Sequence, residues 1–304
     1  MKVLLAVPLV LLSAVNAGAR ERQSSEAAPR VAIPPRASSA PGGTAFVASL
    51  AALPRERREQ AIFDELSRGN VPDFLRRLRP VRVSLSGQPA ADGRQRMVTA
   101  TVWVMPDYLA IGSDDDFVRV PLDLPTATAI ARRFGFVLPT RKLVDAIYQQ
   151  AALRLPPMPM PAGPEMRSVD YLLRHNRTIE QQRMGWQVDG IVAGHKKDLV
   201  LSERLMERPE RVAIYGWHRP DGRPIQPLSI VHGAHYADYS HGVRLVADTV
   251  LVDGVPRSIY EVLEQPRLAR LLSDEGGIAD ARRLMGLESP APELTANASA
   301  RRSR

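Results

Sequence analysis

Residues 81–104 read VRVSLSGQPAADGRQRMVTATVWV. Val81, Val83 and Leu85 alternate with polar residues, a Gly/Ala/Asp turn occupies 87–94, and Val98, Ala100, Val102 and Val104 resume the alternation. An apolar period of two turns one face of an extended chain to a core, so the stretch predicts two strands joined by a turn. Tyr108 to Ile111 and Phe117 to Val120 predict two more, joined by the acidic turn at 113–116. Upstream, residues 45–79 carry helical spacing, with Leu53, Ile62, Phe63 and Leu66 apolar. A second short helix starts at Asn70-Val-Pro-Asp73. Downstream, helices are expected at Thr126–Phe134, from the cap Pro139-Thr140 to Leu153, and at Met166–Met184, with the Pro/Met-rich stretch 155–164 irregular between them. Strands return at Ile191–Ala193, Leu199–Leu201, Arg211–Trp217, Ile225–Val231 and Val243–Val252, and Ile259–Leu272 closes the chain as a helix. The fold expected is α+β: N-terminal helices followed by a largely antiparallel sheet edged by helices.

The chain ends have another character. Residues 1–19 have a basic start, a short apolar run and the small-residue site Ala17-Gly18-Ala19, the pattern of a secretory signal cut after Ala19. Residues 20–43 and 288–304 are rich in Ser, Ala, Pro and Arg and are expected as a disordered linker and a disordered tail. That leaves 44–287 for the α+β domain, as one unit or as subdomains 44–165 and 166–287. No later segment is apolar for long enough to span a bilayer. The protein is expected to be secreted or periplasmic. It has no cysteine, which removes thiol nucleophiles and zinc–thiolate sites. With 41 Lys+Arg against 33 Asp+Glu, it would be drawn to anionic envelope or extracellular polymers. Nucleic acid is disfavoured, because the basic residues are scattered and no aromatic-interleaved basic motif occurs.

Five of the six histidines lie between His195 and His241. The run His232-Gly-Ala-His235-Tyr-Ala-Asp238-Tyr-Ser-His241 repeats an imidazole or carboxylate every third residue. Flanking glycines and strand-like sequence place it in a loop, where two or three of these groups can converge. His232, His235 and Asp238 are the candidate ligands of a metal, with zinc the ion such N/O donors suit, although HExxH is absent. Gly194-His195-Lys-Lys-Asp198 follows a strand-like segment. There His195 and Asp198 suit a base and its orienting carboxylate, and the lysines suggest a positive mouth. Ser240 and His241 complete the catalytic candidates. Ser240 would need one of the other histidines as its base, because neighbours in an extended chain face opposite sides. Tyr236 and Tyr239 are candidates for substrate stacking, and Arg244 for holding a carboxylate or phosphate.

His232-Gly followed by Ser240-His241-Gly242-Val-Arg244-Leu245 resembles the histidine and Ser-His-Gly-Cys motifs of L,D-transpeptidases. In that family a cysteine nucleophile follows the second glycine. Val243 stands there in this chain, so the resemblance does not imply that activity. Ser229-x-x-His232…Asp238 resembles the zinc-ligand stretch of D-alanyl-D-alanine carboxypeptidases, with a different spacing and without that family's second motif. Each resemblance covers under a tenth of the chain.

Two functions are expected to compete. One is an exported hydrolase with a His/Asp-rich site acting on a cell-envelope or extracellular substrate, metal-dependent if zinc binds. The other is a non-catalytic exported binding protein that docks on anionic envelope polymers. The site idea requires His195 to meet at least two of His232, His235, Asp238 and His241.

Overall fold

The computed structural model describes residues 28–89, 95–184 and 189–287; the expected signal, the first residues of the linker, most of the 87–94 turn and the tail 288–304 lie outside them. The alternating stretch forms β1 (Arg79–Pro89) and β2 (Gln95–Val104), paired antiparallel with Val81 opposite Val102 and Val83 opposite Ala100. β2 pairs on its other side with β12 (Val246–Val252), and β12 with β13 (Val255–Ser258) and with the short β5 (Phe136–Val137). β3 (Ala110–Gly112) and β4 (Phe117–Arg119) make the expected hairpin across the acidic turn. Asp114 and Asp116 act as caps there, accepting from the Phe74 amide and from Thr44.

A second sheet has the order β10-β9-β8-β11, built from β8 (Lys197–Leu199), β9 (Ile214–His218), β10 (Pro224–Ser229) and β11 (His241–Gly242). β8 and β11 run parallel, as do the two-residue strands β6 (Leu153–Arg154) and β7 (Val192–Ala193). The other pairings between these strands are antiparallel. With helices packed beside these sheets, the architecture is α+β.

Local chemistry explains the helix boundaries. In the stretch 45–79 where helical spacing was read, α1 (Gly43–Ser49) and α2 (Arg55–Ser67) form ahead of the short turn at Asp73–Arg76, and Pro54 stands before the second. α3 (Leu124–Phe134) starts where the Asp123 side chain accepts from the Thr126 amide and stops at Gly135, whose φ of 77° fits only a residue without Cβ penalty. Thr140 caps α4 (Arg141–Gln149), and Ser168 caps α5 (Val169–Arg183). The last expected helix divides into α6 (Ile259–Glu264) and α7 (Pro266–Leu272). Pro266 holds Gln265 extended, at φ −87° and ψ 114°. α8 (Ala281–Leu284) follows.

One hydrophobic cluster runs from Ile33 to Met285 and takes residues from both halves of the domain. The sequence suggested a free linker through residue 43, and the described part of that segment differs. Ile33 is buried, the Ala32 amide donates to Phe134 O, and Arg36 bonds to Asn70 and to Ala40 O. Polar composition hid two apolar anchors, Val31 and Ile33, that reach the core.

Candidate functional site

The two histidine-bearing segments meet edge to edge. β11 lies beside β8 with His241 opposite Lys197 and Gly242 opposite Asp198, and the Lys197 amide donates to Ser240 O at 2.8 Å. The approach is close enough to require glycine. A Cβ on Gly242 would lie 2.5 Å from Tyr108 Cδ1 and 2.8 Å from Lys196 Cβ, both on buried side chains. Gly242→Ala is therefore expected to cost about 1–3 kcal/mol through overpacking, measured as a lower urea midpoint with unchanged m-value.

The side chains then separate into three groups. In the first, Asp238 is a carboxylate with three donors. Oδ1 accepts from the Ser240 amide at 2.8 Å and the Ser240 hydroxyl at 2.6 Å, and Oδ2 accepts from the Tyr236 hydroxyl at 2.9 Å. Burial opposes its ionisation, but the neighbouring His241 and these donors hold it below the ordinary carboxylate range. His241 is buried, and neither ring nitrogen has a hydrogen-bond partner. Burial pushes it down to about 4 against the pull of Asp238, with Lys197 and His232 adding to the fall. The part-exposed rings of His232 and Tyr236 stack at 4.1 Å, with centroids 6.3 and 5.6 Å from His241. Lys197 Nζ lies over the Trp217 ring at 5.1 Å.

The second group surrounds Asp198. Its Oδ2 accepts from the Tyr108 hydroxyl at 2.8 Å, and Arg244 Nε is 4.0 Å from Oδ1. Arg244 lies 4.3 Å from the Tyr108 centroid and donates to Met105 O and Val192 O at 3.0 and 2.7 Å. Burial lifts Asp198 to about 6 despite Arg244.

The third group centres on Asp107. His195 Nε2 is 3.1 Å from Asp107 Oδ1, and Arg119 grips the same carboxylate with Nε at 3.0 Å and Nη2 at 2.6 Å. Burial works against the Asp107 charge, yet Arg119 and His195 hold it well below the ordinary range. Lys196 runs between groups, its Nζ 3.2 Å from His175 Nδ1 and 2.5 Å from Tyr239 O, and burial lowers it to about 7.

This geometry changes several roles suggested by sequence. His195 pairs with Asp107 rather than Asp198 and lies against Tyr108, and its contacts include none of His232, His235, Asp238 and His241, so the meeting the site idea required is not made. Arg244, 1% exposed, holds backbone carbonyls in the interior and presents no face to a substrate. Tyr239 packs with Tyr171 and Trp217, and its hydroxyl bonds the Met160 backbone. Lys196 lies in the core, so the positive mouth reduces to Lys197. His235 bonds Asp123 at 3.0 Å with its side chain 68% exposed, while His232 stacks on Tyr236. Among the described residues no group of three or more His, Cys, Asp or Glu is placed to hold a metal ion. As placed, His232, His235 and Asp238 do not make the zinc set suggested from their spacing. Asp107 and Arg119 were not among the residues suggested by sequence; Arg119 is a lone charge inside the apolar run Phe117–Val120, and Asp107 stands just before the run that begins at Tyr108.

The buried imidazoles make stability pH-dependent. His175, His195 and His241 are lowered from 6.5 to about 2, about 4 and about 4, in each case chiefly by burial. As pH falls below 6.5 the unfolded chain takes up these protons first, so each group removes about 1.4 kcal/mol of stability per pH unit. Asp198, raised to about 6, and Glu59, raised by burial and by Asp123 to about 7, act in reverse, because the folded state protonates first. Between about pH 6 and 4.5 the losses at these three imidazoles, joined by His232, which burial also lowers, outnumber the two gains, so stability is expected to fall as pH drops. Urea unfolding across that range tests it; a flat or rising stability contradicts the balance.

Compared with protein-family models, curated proteins and solved structures, the chain finds no match.

Proposed function

We propose that the protein is an exported hydrolase whose acid–base group is His241, acting on an ester, amide or phosphoester bond of an anionic envelope or extracellular polymer. The observation carrying this reading is that His241 is buried beside the carboxylate of Asp238 with both ring nitrogens unpartnered. His175 and His195 each leave one ring nitrogen without a protein partner; among the described buried histidines His241 alone leaves both. At neutral pH its ring is uncharged; His241 is 1% exposed, so it accepts a proton from substrate water only when the part-exposed His232–Tyr236 stack beside it moves aside, and Asp238 favours the imidazolium that results. Tyr236 and Ser240 keep Asp238 ionised and fixed in place. Ser240, fully buried with its hydroxyl on Asp238, is a positioning residue in this reading, and water is the nucleophile. His232, Tyr236 and Lys197 form the part-exposed rim, where the lysine would draw an anionic substrate. No step depends on zinc, and the assay below tests its requirement.

Purified protein is assayed on peptidoglycan and on ester, peptide and phosphoester substrates, with Zn2+ or EDTA. His241→Ala is expected to lower kcat/KM by about 10²–10⁴, the usual contribution of a general base. Full activity in that variant overturns the assignment. The binding-protein reading is favoured by the near-complete burial of the polar cluster and the net charge of +8. It prevails if every substrate class is refused while anionic polymer is bound equally by the wild type and His241→Ala.

A further inference from the structure

The second sheet carries another histidine–carboxylate pair, away from His241. β9 reaches His218 through two residues in the left-handed region, Gly216 at φ 110° and Trp217 at φ 57°. A tryptophan there is strained by about 1–3 kcal/mol. The kink sends Trp217 inward to Tyr171 and Tyr239 and brings His218 to α4. There His218 Nε2 lies 2.9 Å from Asp145 Oδ1, its ring stacks on Tyr148 at 4.5 Å, and its edge meets Tyr215 at 5.8 Å. The Tyr215 hydroxyl donates to both oxygens of Asp145, at 2.9 and 3.1 Å. His218 is 2% exposed, whereas the Asp145 side chain is 36% exposed.

A structural clamp between α4 and β9 would need none of this opening. Asp145 and His218 instead line a cavity of about 440 Å³ with Gln149, Arg154, Asp221 and Arg223 on its other sides. That volume lies in the range of small-ligand sites. The lining charges are balanced: Asp221 is paired with Arg223, and Arg154 donates to the backbone carbonyls of Tyr148 and Gln149. The Gln149 amide is exposed and free of side-chain partners, and Asp145 keeps lone pairs beyond its bonds to Tyr215 and His218. A carboxylate acceptor, a planar amide and guanidinium donors, without net charge, suit a ligand with many hydroxyls better than an ion.

We infer that this cavity is a second site, one that binds a neutral polyhydroxylated ligand of mono- to disaccharide size, with Asp145 as its anchor and His218 as the group that orients Asp145. The inference is independent of the hydrolase reading.

The probes are maltose, cellobiose and N,N′-diacetylchitobiose, with binding followed by saturation-transfer NMR and titration on the full mature protein. At least one is expected to bind, with Asp145→Asn weakening it at least tenfold and Gln149→Ala about threefold. His241→Ala should leave binding unchanged. Thermal unfolding of each variant is recorded, and Gln149→Ala, on an exposed side chain, keeps the test readable if Asp145→Asn unfolds. Failure of all three sugars to bind, unchanged affinity in both Asp145→Asn and Gln149→Ala, or loss of binding on His241→Ala overturns the inference.

Discussion

Arg119→Ala is expected to destabilise the protein by about 3–5 kcal/mol, the cost of leaving one member of a buried ion pair behind. Arg119 and Asp107 are each 1% exposed, and the guanidinium also donates to Glu180 at 2.7 Å and to Asn176 at 3.2 Å. Without it Asp107 keeps the His195 imidazole as its hydrogen-bond partner and Lys196 as a more distant charge. That loss should lower the thermal midpoint by roughly 6–20 °C for a domain of this size. The His195 imidazole should become easier to protonate, because Arg119 is among the charges opposing it while Asp107 remains. Chemical denaturation of Arg119→Ala, Asp107→Leu and the Arg119→Met/Asp107→Leu double variant separates pairing from packing. The double variant should regain a large share of the loss, since no uncompensated charge stays buried. If the double variant loses the sum of the single losses, the pair is not coupled and the account fails.

Arg244→Met should cost a similar amount, about 3–5 kcal/mol, for a different reason. Arg244 makes no close ion pair; its nearest carboxylate oxygen, on Asp198, is 4.0 Å away. What its removal exposes is a set of buried acceptors, Met105 O and Val192 O, each worth about 1–3 kcal/mol if left unsatisfied, together with the uncompensated Asp198. Methionine restores much of the volume over Tyr108 but no donor. Asp198 should then rise further above 6, because Arg244 is the largest influence holding it down. The sign follows from the folded state holding this proton above the unfolded carboxylate range, so Arg244→Met should recover stability as pH is lowered toward 4. Unfolding free energies of the variant and the wild type at pH 8, 6 and 5 check this. A loss that stays constant with pH rules out Asp198 as the group affected.

Element types were largely legible because their cause is local. The alternation at 81–104 marked β1 and β2, and Thr140 is the cap its sequence suggested; Asp123 and Ser168 cap helices whose starts were expected at Thr126 and Met166. Local signals failed where one proline outweighed a periodic pattern, at Pro266, and where two apolar residues anchored a polar segment, at Val31 and Ile33.

The site was legible only as a concentration of histidines, and its pairings were not. Spacing by threes suggested that His232, His235 and Asp238 converge; Tyr236 joins His232 and Asp238, while His235 turns away to Asp123. Two partners in these networks, Asp107 and Arg119, lie far upstream of the histidine run, so no local pattern joins them to it.

The sequence by itself determined the α+β class, the cap at Thr140 and the presence of chemistry-bearing residues in two segments. Periodicity and capping act over a few residues and survive without knowledge of the rest of the chain. The tertiary structure decided which polar atoms lose water and which partners they meet. Setting β11 beside β8 buried His241 without a partner, placed Arg244 over Tyr108, and gave His195 to Asp107. Dehydration and charge pairing depend on everything packed around a group, which only the assembled core specifies.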